Sequence, residues 1–244
     1  MDLIPTVSES TESGSRREAA SVQTQLDGLV VTVELTLISI IQGLALSFLA
    51  VQAQAVVVDG RLAYWPYLAT GLMTILLFWS RSLVHTLTVI RWPLEFVHNF
   101  MYVACTLVQT VMFSQLTNPV GWNRLATVFS LMVWGLYAFD LRMIRRRIHD
   151  SPGPTADRLY ALVEREQIRN VRWIMPGIIL FSLGAVVALE TWPEVLIDRR
   201  WHVAIAVAQM LGSVGYLAYT VRLFALVTPL IVRTRGEWRD DVLS

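Results

Sequence analysis

The chain has 244 residues, of which 55% are hydrophobic and only 16% charged, with a mean hydropathy of +0.51. Soluble domains carry about 25% charged residues, so this composition excludes an ordinary water-facing surface. All basic residues are Arg, and the net charge of +1 excludes a nucleic-acid partner. Apolar runs of about 20 residues recur along the chain, long enough for a hydrocarbon core of about 30 Å. The sequence therefore predicts an all-α, polytopic integral membrane protein, a bundle of about six transmembrane helices embedded in a lipid bilayer.

Residues 1–27 are rich in Ser, Thr and Glu and lack an apolar stretch, so an unstructured tail is expected, not a signal peptide. Helices 1–4 are expected within residues 28–141. The first covers about 28–58, broken only by Glu34, Gln42, Gln52 and Gln54. The second covers 63–90 and carries Arg81 and His85 near its end. Trp92-Pro93 makes a turn, because proline disfavours helix at the residue before it. The third covers 94–116 and stops at Asn118-Pro119, and the fourth covers 124–141.

A basic loop, 142–172, follows. Ser151-Pro152-Gly153-Pro154 breaks the helix, and Thr155 or Asp157 can cap a short amphipathic one. Leu159, Leu162, Val163 and Ile168 share its apolar face, which suits a helix lying at the membrane surface. Helices 5 and 6 are expected within 173–232, and 233–244 form a tail.

With the N-terminus inside, fifteen Arg residues fall on the inner side and Arg61, Arg124, Arg199 and Arg200 on the outer side. The positive-inside rule then places both termini, and the loop 142–172, in the cytoplasm of a bacterial inner (cell) membrane. Trp65, Trp122, Trp192 and Trp201 are then expected at the outer interface, and Trp79, Trp92, Trp173 and Trp238 at the inner one.

Three groupings could carry function. Glu95, His98, Tyr102, Cys105 and Gln109 are spaced by 3, 4, 3 and 4, which makes one polar lane along helix 3, with Asn99 and Thr106 beside it. Polar groups within a membrane face the bundle interior or a hydrated path, or bind neighbouring helices. Glu34, Arg81, His85 and Asp140 fall at the depth of Glu95 and His98, and are expected to form a charge cluster at an inner mouth. Histidine protonation there, between about pH 5 and 8, would change the charge at the mouth. Ser39, Gly43 and Ser47, and Ala204, Ala208 and Gly212, recur every four residues, as helix-packing faces do, within one chain or between copies.

Enzyme chemistry is not expected. Glu95-x-x-His98 is half of a di-iron pattern whose second copy is absent, and no nucleophile elbow, phosphate loop or zinc-protease motif is present. His85 and His98 could share a metal, but with four histidines and one cysteine no metal site or cofactor is expected. The expectation is a channel or transporter-like protein, a homo-oligomer, passing an ion or small solute. The alternative is a membrane-anchored subunit that docks a cytoplasmic protein, or anionic lipid, through Arg145, Arg146 and Arg147.

Overall fold

The computed structural model describes residues 7–89, 96–149 and 154–243. They are helical almost throughout, and no strand occurs among them. The helices are α1 (Val7–Val57), α2 (Trp65–Thr88), α3 (Phe96–Phe113), α4 (Pro119–His149), α5 (Pro154–Arg169), α6 (Met175–Thr191) and α7 (His202–Leu243). Among the described residues, six stretches are long and apolar enough to cross a membrane: Gln25–Gln54, Leu62–Thr88, Phe96–Phe113, Pro119–Arg146, Thr155–Thr191 and His202–Thr234.

Local chemistry accounts for the boundaries. Asp59-Gly60 turns the chain after α1, and Gly60 takes φ +70°, a conformation that glycine adopts without penalty. Asn118 caps α4: its Oδ1 accepts from the Gly121 N–H at 3.1 Å, and Pro119 takes the first helical position.

One expectation about the ends is corrected. Residues 7–27 continue α1 as helix instead of forming an unstructured tail. Ala, Glu, Gln and Arg are good helix formers, and extending an existing helix avoids the cost of nucleation. At the other end the apolar span is His202–Thr234, and the helix of α7 continues through Pro229 to Leu243.

The basic loop is also corrected. α4 extends to His149, and α5 joins α6 through a widened π-helical stretch, Asn170–Ile174. Pro176 explains the widening, because its ring cannot accept the ordinary i−4 geometry. The apolar face of α5 does not lie on a membrane surface. Leu159 and Val163 are buried against Val89, Met143, Ile144, Leu223 and Val227, which closes the arginine-rich end of the bundle.

α2 packs on α1 and α7, α3 on α1 and α4, and α6 on α4. A middle layer joins Ile38, Phe78, Tyr102, Phe129 and Leu136, and a third core at the far end joins Leu49, Tyr67, Phe113 and Trp122. Trp65, Trp192 and Trp201 are exposed there, whereas Trp122 is buried on Tyr67. Trp79 and Trp173 are exposed, while Trp92 lies outside the described residues.

Candidate functional site

Four helices bring ionisable groups together between the arginine-rich core and the middle layer. α2 supplies Arg81 and His85 one turn apart, α1 supplies Glu34, α3 supplies His98 from its first turn, and α4 supplies Asp140. All five are between 1% and 8% exposed. They are therefore enclosed and do not line an open mouth, because α5 folds over that end and its apolar face seals it.

Asp140 is the hub. Its Oδ1 lies 2.9 Å from Nδ1 of His98 and 3.6 Å from Nε2 of His85. The two imidazoles stack, with centroids 4.6 Å apart and planes at 19°. Glu34 stands beside His98, and its Oε1 accepts from Asn99 Nδ2 at 3.3 Å. Arg81 donates from Nη2 to Gln167 Oε1 at 3.0 Å, and its guanidinium lies over the Tyr137 ring, 5.5 Å from the centroid. Gln167 in turn donates to the Tyr137 carbonyl at 3.0 Å. One atom each from His85, His98 and Asp140 lie within 4.8 Å of one another, as a metal-binding triad requires.

With both imidazoles neutral, two carboxylates and one guanidinium leave the cluster one charge negative. Buried polar groups are normally hydrogen-bonded. Here Glu34 Oε2, His85 Nε2, and Arg81 Nε and Nη1 are buried without a hydrogen-bond partner.

The polar lane of α3 leads away from this cluster along α1. Tyr102, Cys105, Thr106 and Gln109 are buried, as is His98, whereas Val97, Phe100, Leu107 and Val111 on the opposite arc are exposed. Glu95 lies outside the described residues. Gln42, two helical turns after Glu34, donates Nε2 to Tyr102 OH at 2.9 Å and to Thr106 Oγ1 at 3.3 Å. Gln42 Oε1 and both side-chain atoms of Gln109 have no partner. Gln42 and Gln167 were not among the expected site residues. The eight-residue spacing of Glu34 and Gln42 was a signal for the first of them, since it puts both on one helix face.

The small-residue stripes do not bring helices of one chain together. Ser39, Gly43, Ser47, Ala204, Ala208 and Gly212 are all exposed, and a Cβ placed on Gly43 or Gly212 meets nothing within 4 Å. Spacing alone does not fix which side of an apolar helix faces its neighbours. The close approach occurs at Gly71 in α2, where a Cβ would lie 3.0 Å from Leu49 Cδ1 and 3.2 Å from Phe113 Cε1. Among the basic residues of the former loop, Arg146 is exposed and Arg145 pairs with Glu164 at 2.8 Å. The Arg147 side chain is not among those described.

A cavity of about 380 Å³ lies between α2, α4, α6 and α7, lined mainly by apolar groups. Phe78 and Phe129 form part of its wall. Phe78 stacks on Tyr102 at 4.6 Å and meets Phe129 edge-on at 5.7 Å, so aromatic rings stand between the cavity and the α3 lane. A second polar group closes the far end. Tyr67 donates to the His202 carbonyl at 3.1 Å, and Gln209 links Trp122 to Asn123.

No protein family, curated protein or solved structure matches this chain. The chemistry of the enclosed cluster is therefore the guide to function. Two carboxylates and two imidazoles in an apolar surround can hold a cation or relay charge.

Proposed function

We propose that this chain is a multi-pass protein of a cell membrane, with both termini cytoplasmic, that passes a small cation through the bundle. The observation that supports this reading is the row of unpartnered buried atoms on the α1–α3 seam. Glu34 Oε2, Gln42 Oε1, and Oε1 and Nε2 of Gln109 follow one another along two packed helices. Ionisable and polar groups inside a membrane mark ion pathways, and each such atom gains by meeting water or an ion. Two carboxylates gathered at the arginine-rich end favour a positively charged guest. Apolar layers on both sides of the cluster make the present conformation an occluded one.

The alternative, a subunit that docks a soluble protein through its basic segment, has less support. The apolar face of α5 is spent inside the molecule, and Arg145 already pairs with Glu164. The exposed small-residue faces of α1 and α7 suit contact between copies in a homo-oligomer, where close approach is possible.

Proteoliposomes test the reading. Purified protein should dissipate a cation gradient without any added partner, and Gln42→Leu with Gln109→Leu should slow that flux at least about tenfold. Flux seen only with a soluble partner would favour the docking reading.

A further inference from the structure

We infer that His85, His98 and Asp140 form a binding site for a divalent first-row transition metal. The inference rests on the reading of this cluster as a cation station and names the class of cation that it takes.

The donor set is two imidazole nitrogens and a carboxylate oxygen. Imidazole suits zinc, iron, nickel and copper, whereas calcium and magnesium prefer oxygen alone. Cys105 does not belong to the triad, so no thiolate draws the preference towards a softer ion. The three ligands come from three helices, α2, α3 and α4, which fixes them relative to one another through packing.

Distances agree with this assignment. A tetrahedral ion with ligands at about 2.0–2.1 Å sets neighbouring ligand atoms about 3.3 Å apart. The two Asp140 contacts, 2.9 Å and 3.6 Å, bracket that value. The third edge lies within 4.8 Å, so small side-chain rotations close the site.

Charge agrees as well. A divalent ion held by Asp140 sets opposite charges in contact inside an apolar surround, where charges are tolerated only when paired. His85 Nε2 is buried and makes no hydrogen bond, facing only Asp140 Oδ1 at 3.6 Å, as an unfilled ligand would. The nearest fixed cation, Arg81, is tethered by Gln167 and stacked on Tyr137.

The experiment titrates Zn²⁺ into full-length protein in detergent, in a His149→Gln background that removes the exposed histidine. Expected is one Zn²⁺ per chain, weakened about a hundredfold or more by His85→Gln, His98→Gln or Asp140→Asn and unchanged by His202→Gln. If the ligand variants fail to fold, Co²⁺ added to the parent protein decides through its visible spectrum, which distinguishes nitrogen-rich tetrahedral coordination from an aquo ion. Absence of stoichiometric Zn²⁺ binding, or an aquo-like Co²⁺ spectrum, would overturn the site. The two readings fail separately. Cation flux without Zn²⁺ binding removes the metal site alone, whereas Zn²⁺ binding without flux removes passage and leaves the site.

Discussion

His98 and Asp140, 42 residues apart in sequence, meet at 2.9 Å and lock the first turn of α3 to α4. Both are buried, and Asp140 also faces His85 from α2, so one carboxylate ties three helices. Breaking one partner of such a group costs about 3–5 kcal/mol, because the others are left desolvated and uncompensated.

Asp140→Ala should therefore lower the unfolding temperature in detergent far more than Asp140→Asn, which keeps an acceptor oxygen near His98. Equal loss in the two variants would mean that packing, not the hydrogen bond, sets the stability of this layer.

Gly71 offers a second test. Gly71→Leu should destabilise by about 3 kcal/mol or more through overpacking against Leu49 and Phe113, whereas Gly43→Leu and Gly212→Leu should leave the unfolding of the single chain almost unchanged. A shift in oligomer size for the latter two, read by light scattering, would locate an interface between copies on those faces. Strong unfolding at Gly43→Leu would contradict the exposed assignment.

Much of this architecture is legible in the sequence, for physical reasons that differ by element. The six apolar stretches follow from hydropathy alone, and the 3, 4, 3, 4 spacing orients α3 with its histidine and glutamine inward and Phe100 and Leu107 outward. The gathering of Glu34, Arg81, His85, His98 and Asp140 follows from their shared depth in antiparallel helices. Depth does not reveal azimuth, however. That is why the seal made by α5, the triad geometry at Asp140 and the close approach at Gly71 were not evident. Gly43 and Gly71 are equivalent as letters and differ only in which way their helix is turned.

Orientation can be read by single-cysteine labelling, since the native Cys105 is buried. Asp59→Cys should react with an impermeant maleimide in intact cells, and Arg146→Cys only after permeabilisation. Both positions are exposed in the fold, so access depends on the membrane. The reverse pattern would invert the topology and place the cluster at the outer face.

The most direct test of the account is cation flux into proteoliposomes that contain purified protein and no partner, compared between the native chain and Asp140→Asn. The native chain should pass cations well above protein-free vesicles, and Asp140→Asn, folded and reconstituted to the same density, should lose at least about nine-tenths of that flux. Flux equal in the two proteins, or equal to that of protein-free vesicles, would contradict a role for the buried cluster in cation passage.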